Sequence, residues 1–107
     1  MPERRDIILA RVFFSDSPES KVRPAIVLSD SSFHKSDFVL AAAVTTSNDE
    51  YCIGIAEKDA NCPLAEGSSA RFDAVIKLHS KQVVRRIGKV TMDFHGSLIG
   101  KIIGLIK

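Results

Sequence analysis

The stretch Lys21-Val22-Arg23-Pro24-Ala25-Ile26-Val27-Leu28-Ser29 limits the possible folds of this chain more than any other part of it. Ala25 to Leu28 are apolar without a polar alternate, so a strand made from them is buried on both faces. Pro24 fixes φ and has no N–H, which suits the first residue of a strand better than its interior. A strand is therefore expected at residues 25–28, with Lys21 and Arg23 in a turn before it. The residue before a proline is pushed toward extended geometry, so Arg23 is held stiffly at the strand's mouth. A guanidinium fixed there offers a planar fork of donors suited to phosphate. The plain alternative is a solvated turn residue.

The rest of the chain reads as more short strands. Residues 7–14, 38–45, 51–55 and 69–76 are rich in β-branched and aromatic side chains, and polar or Pro/Gly-containing loops separate them. On the last of these strands Arg71 and Asp73 are two apart and share a face. Ser80 is expected to cap a short helix through Arg86, and Val90 to close a brief strand. A final helix, capped by Thr91 or Asp93, shows an apolar face at Phe94, Leu98, Ile102 and Leu105/Ile106. Gly96, Gly100 and Gly104 recur along it, each costing roughly 1 kcal/mol of helix propensity relative to Ala. Close packing would offset that cost, either on a second subunit or on the chain's own sheet. Many short strands with one terminal helix indicate a mainly-β fold, a small, partly open barrel in one domain over residues 1–107.

Charge and cysteine usage bound the chemistry. From residue 37 to 67 six acids stand against Lys58 alone, whereas from 68 to 107 eight bases stand against Asp73 and Asp93. A basic C-terminal half suits a polyanionic ligand or an acidic partner tail, although Lys77, Lys81, Arg85 and Arg86 taken singly read rather as a solvated face. Cys52 and Cys62 lack metal-ligand spacing and read as reduced structural thiols, with a disulfide only in an oxidising compartment. No cofactor is expected: there is no Gly-rich phosphate loop and no nucleophile elbow. No signal peptide is legible, and the longest apolar stretch, residues 94–106, contains His95 and Lys101 and falls short of the roughly 20 residues a membrane span needs. A cytoplasmic protein is the expectation.

Several of these phrases carry a resemblance. Asp6-Ile7-Ile8-Leu9, then Arg23-Pro24-Ala25-Ile26-Val27-Leu28, then Ala43-Val44-Thr45-Thr46-Ser47 occur in the order found in the PemK/MazF family of toxin endoribonucleases. Arg71-Phe72-Asp73 resembles the Arg-x-Asp of some members, and Ile87-Gly88-Lys89-Val90 resembles their Ile-Gly segment before the final helix. The resemblance implies an SH3-like barrel forming a homodimer, and an antitoxin partner whose acidic C-terminal tail covers the active groove. It also implies sequence-specific, metal-independent cleavage of single-stranded messenger RNA. Two departures stand out. The family's Gly before the first acidic residue is Arg5 here, and Ser17-Pro18-Glu19-Ser20 lacks the His-Glu pair that some members use near the phosphate.

RNA is cut without metal when its own 2′-hydroxyl attacks the adjacent phosphorus. That requires a base near the 2′-oxygen, cationic donors at the phosphate, and an acid at the leaving 5′-oxygen. Arg23 is the candidate phosphate ligand, Thr45 a hydroxyl donor, and Asp73 the base. In the family Arg71 would be the acid, but arginine is effectively never deprotonated, so transition-state stabilisation is its safer role. Lys21, His34, Ser47 and Lys77 are further candidates for touching RNA. The bland readings are that Thr45 merely ends a strand and that Asp73 is a structural ion-pair partner of Arg71 or Arg23. Two other functions remain open: a non-catalytic binding module, and a gyrase poison of the same fold. The latter class ends in Trp-Gly-Arg-Ile, whereas this chain has no Trp.

Overall fold

The computed structural model describes residues 2–13 and 20–107. Along them run β1 (Asp6–Phe13), β2 (Ser20–Val27), α1 (Ser31–His34), β3 (Phe38–Thr45), β4 (Cys52–Gly54), β5 (Ser69–His79), β6 (Val83–Lys89) and α2 (Met92–Ile106). Single 3₁₀ turns occupy Glu57–Asp59 and Ser80–Gln82. The strands form one antiparallel sheet in the order β4-β5-β3-β2-β1-β6. The sheet does not close. Past its β6 edge the bridge Ala60–Val90 lays the loop after β4 across the gap. The mainly-β, partly open barrel with a terminal helix is thus the fold observed. The first-loop residues 17–19 lie outside the described residues.

The Ala25–Val27 end of β2 holds the sheet together because both its faces are buried there. The row Ile7–Ile26–Ala42, set by the register of β1, β2 and β3, faces α2. It packs with Phe94, Leu98 and Ile102 into one core. Ala25 and Val27 point the other way and join Ile8, Ala10, Val39, Ala41 and Leu78 in a second core. Among the described residues no helix joins that core, yet these residues are buried, so the sheet curls over its own side chains. Each large buried aliphatic contributes about 1.5–3 kcal/mol.

Pro24 is inside β2, which starts at Ser20 and not at residue 25. The ladder to β1 runs from Phe13–Ser20 to Ile7–Ile26, whereas the ladder to β3 begins only at Ala25–Ala43. Pro24 therefore falls where the strand has a single neighbour, and there a missing N–H is tolerated. Residues 80–86 also depart from expectation. Instead of a helix they make one 3₁₀ turn and then enter β6. His79, not Ser80, caps that turn, its Nδ1 accepting from the Lys81 amide at 3.0 Å. The β-branched pair Val83 and Val84 suits the strand that fills the free edge of β1.

Helix α2 is capped by Thr91, whose Oγ1 accepts from the Phe94 amide at 3.1 Å. Its buried face is Phe94, His95, Leu98 and Ile102. Leu105 and Ile106 do not continue that face; the last turn runs beyond the sheet and leaves them exposed. His95 Nε2 lies 3.1 Å from the Val27 carbonyl, an acceptor, so Nε2 carries the proton. The same carbonyl accepts from the Arg5 amide at 2.9 Å, and the Arg5 carbonyl accepts from the Val90 amide at 2.9 Å. These bonds hold Arg5 at φ +76°. A non-glycine residue there costs roughly 1–2 kcal/mol, a strain that the glycine implied by the resemblance would not carry. The Arg5 guanidinium offsets part of the cost by donating to the Val90 carbonyl at 3.2 Å.

Two measurements follow from this corner. Arg5→Gly and Arg5→Ala both lose the guanidinium bond, but only alanine keeps the left-handed strain. The glycine variant should be more stable by about 1 kcal/mol in urea melts, the reverse of the usual ranking; an alanine variant that is equal or better would refute the strain. His95 supplies the second. Burial, reinforced by the charges of Arg4 and Arg5, pulls its pKa below the ordinary 6.5. The unfolded chain therefore binds the proton more readily, and stability falls as pH drops below 6.5 toward the lowered folded-state value. Asp30 and Asp49, both lowered from 3.8, act only at more acid pH. The melting temperature should fall between about pH 7 and about pH 5, and His95→Gln, which donates without titrating, should flatten that slope.

Candidate functional site

The open mouth of the second core is a cavity of about 650 Å³. Its apolar walls include Val12, Ala25, Ala43, Ala74 and Ile76, and its polar rim is Arg23, Thr45, Thr46, Ser47, Ser68 and Arg71. The hollow exists because its floor is alanine: Ala25 and Ala43 are cross-strand partners, and neither carries a side chain long enough to fill it. A bulge supplies the second device. Ala42 pairs with Val75 and Val44 with Ala70, so residues 71–74 of β5 stand opposite Ala43 alone. The bend breaks the ladder where Arg71 and Ala74 reach the cavity.

Four of the candidate residues converge there. Arg23 reaches the rim from the single-neighbour stretch of β2, is exposed, and has no ion pair among the described residues. Thr45 ends β3, and its Oγ1 accepts from the Ser47 amide at 3.1 Å. The bond fixes the turn while leaving the hydroxyl proton free to donate. Ser47 lines the rim beside it. Arg71 completes the set, gripped bidentately by Asp73, with Nε to Oδ1 at 2.9 Å and Nη2 to Oδ2 at 3.0 Å. Asp73 itself is not part of the lining. Its place on the face of Arg71 is as the spacing of two predicts, and the ion pair is the one that the structural reading of Asp73 named as an alternative.

Lys21 and Lys77 do not line the cavity. Lys21 is in β2 opposite Val12, exposed at the hairpin end rather than in a turn. Lys77 sits with Nζ 4.3 Å above the centre of the Phe38 ring, a cation–π contact at the far end of β3. His34 ends α1, and its side chain lies outside the described residues.

The sequence reading had no signal for Asp49. Its Oδ2 accepts from Arg71 Nη1 at 3.0 Å across a separation of 22 residues, and its Oδ1 accepts from the Tyr51 amide at 2.9 Å. The Tyr51 amide, then Arg71, hold its carboxyl below the usual range. Asp73 and Asp49 in turn push the Arg71 pKa upward, which moves the guanidinium still further from service as a proton donor in acid catalysis.

Comparison with known proteins bears on this fold and cavity. The chain matches PemK-like, MazF-like toxins of type II toxin-antitoxin systems over residues 3–98. No curated protein matches it in sequence. Among solved structures it resembles the MazE-MazF complex (form II) of Deinococcus radiodurans, with a TM-score of 0.80 and 15% identity over 98% of this chain and 95% of that one. An endoribonuclease in complex with its cognate antitoxin from a mycobacterial species gives 0.75 and 16%, over 98% and 97%. The Mycobacterium tuberculosis toxin MazF-mt6 gives 0.71 and 19%, over 94% and 93%. Identities this low establish the fold alone, but the family match spans most of the chain: this protein belongs to the PemK-like, MazF-like toxins of type II toxin-antitoxin systems.

Proposed function

We propose that the protein is a sequence-specific endoribonuclease that cuts single-stranded messenger RNA through attack of the RNA's own 2′-hydroxyl, leaving a 2′,3′-cyclic phosphate and a 5′-hydroxyl. One observation carries this reading: Arg23, Thr45, Ser47 and Arg71, drawn from β2, β3, the following turn and β5, border one cavity. Arg23, with no carboxylate partner among the described residues, takes the scissile phosphate. Thr45 donates its free hydroxyl proton to a phosphate oxygen. Asp73 is the carboxylate available as base, and Arg71 stabilises charge rather than donating a proton. The nucleophile belongs to the substrate, so the route needs no metal.

Incubating the protein with a long transcript in EDTA and mapping the new ends tests this. Cleavage should persist with cyclic-phosphate ends; activity lost in EDTA and restored by Mg²⁺ would overturn the route. Binding without cleavage would favour the non-catalytic reading. Arg23→Lys should lose most activity, since a point charge cannot reproduce the planar fork, with the melting temperature unchanged because the residue is exposed.

The antitoxin complexes among the structural neighbours support a partner of the same kind, with an acidic C-terminal tail lying across this cavity. RNA and the tail peptide should then compete, and both should weaken with salt. A ternary complex at full affinity would refute the shared site.

A homodimer through α2 completes the reading. Met92, Ile103 and Ile106 are exposed on the outer side of the helix. A Cβ built on Gly96, Gly100 or Gly104 meets nothing within 4 Å, so the glycines do not pack on the chain's own sheet, and a self-complementary patch across a two-fold axis accounts for them. Gly100→Leu should shift the protein toward monomer in sedimentation while far-UV dichroism is retained. An unchanged dimer constant would remove α2 from the interface.

A further inference from the structure

The Arg71 guanidinium is held from two sides. Asp73 takes Nε and Nη2, while Nη1 donates to Asp49 Oδ2 at 3.0 Å and to Cys52 Sγ at 3.6 Å. These bonds engage four of the five N–H donors that a guanidinium carries and leave one, on Nη2, for a ligand. Asp49 also folds its own loop: Oδ1 accepts from the Tyr51 amide at 2.9 Å, and the Cys52 amide donates to the Asp49 carbonyl at 3.2 Å. That loop, residues 46–51, starts with Thr46 and Ser47 of the cavity rim. One carboxylate therefore links the rim turn after β3 to the cation on β5. A carboxylate beside a cavity for a polyanion opposes binding. Its presence needs a return, and geometry supplies one: with Asp73 alone the guanidinium could swing with its partner, and the second grip fixes the plane of both.

We propose that Asp49 is a positioning residue, which orients the Arg71–Asp73 pair and ties it to the Thr46–Ser47 turn for the cleavage step. The inference rests on the endoribonuclease reading of this cavity. It separates two effects of Asp49 that oppose each other: its charge weakens RNA binding, while its bond to Arg71 raises the rate once RNA is bound.

Asp49→Asn is the test. Asparagine keeps an acceptor for the Tyr51 amide, and so the turn, but presents an NH₂ to the guanidinium in place of the second oxygen. On a short RNA carrying a mapped cleavage site, kcat should fall about tenfold or more, the scale of a small misplacement. Affinity for the same oligonucleotide with a 2′-deoxy residue at the cut, which binds without reacting, should be unchanged or tighter. In an Arg71→Ala background Asp49→Asn should cost nothing further, since the two act through one contact. Full kcat in Asp49→Asn, equal fold-losses in both backgrounds, or a loss confined to binding would overturn the inference. A wild-type protein that cuts no transcript would overturn the endoribonuclease reading and this inference together, whereas cutting that is equal in wild type and Asp49→Asn overturns this inference alone.

Discussion

The Val27 carbonyl is the bond on which the rest of the molecule hangs. It ends the strand that both cores share, and it accepts from two directions: the Arg5 amide at the start of β1 and His95 Nε2 on α2. Three elements distant in sequence are thereby fixed to one atom. The arrangement is costly in two places, for it holds Arg5 at a left-handed φ and buries an imidazole whose pKa burial pulls down. Neither would persist without the packing of Ile26 and Val27 on opposite faces of the sheet. With β2 held at that end, its other end pairs with β1 alone before Ala25, and Arg23, exposed, borders the cavity from that stretch.

The two arginines of the cavity are electrostatically unlike. Arg23 has no carboxylate close by among the described residues, whereas Arg71 stands between two. A phosphate entering the cavity therefore gains most from Arg23, and Arg71 with its carboxylates carries a local charge of opposite sign. Such a division suits a reaction that needs both a grip on an anion and a base close to it.

Legibility in the sequence followed the range of the interaction. The apolar run of β2, the exact span of β3 and the Arg71–Asp73 pair are set by neighbours one or two residues away, and all three could be read. Asp49 could not, because only the bend of β5 brings Arg71 to it across 22 residues. Residues 80–86 were misread because Ser80 looks like a helix cap, yet the imidazole of His79 captures the Lys81 amide first and β1 needs a strand at its free edge. Arg5 was visible as a departure from the family's glycine, but its reason, a positive φ enforced from both sides, exists only once β2 and Val90 are in place. The alanine floor was read as part of two strands, only the first of them expected to be buried; that small side chains there open a cavity depends on which face each one shares.

The outer face of α2 poses the remaining physical question. A 15-residue helix with three glycines loses roughly 3 kcal/mol of intrinsic propensity relative to alanine. Its buried side, Phe94, Leu98 and Ile102, explains why it nevertheless forms, but not why the glycines face away from the sheet into open space. If solubility alone governed that face, polar helix formers would serve better than Gly96 and Gly100 beside exposed Met92 and Ile103. Close backbone approach by another surface accounts for small and apolar residues together. Because α2 covers one face of the sheet and the cavity opens on the other, a partner on α2 would leave the cavity accessible. The proposed assembly through the helix would therefore not compete with the proposed entry of RNA at Arg23.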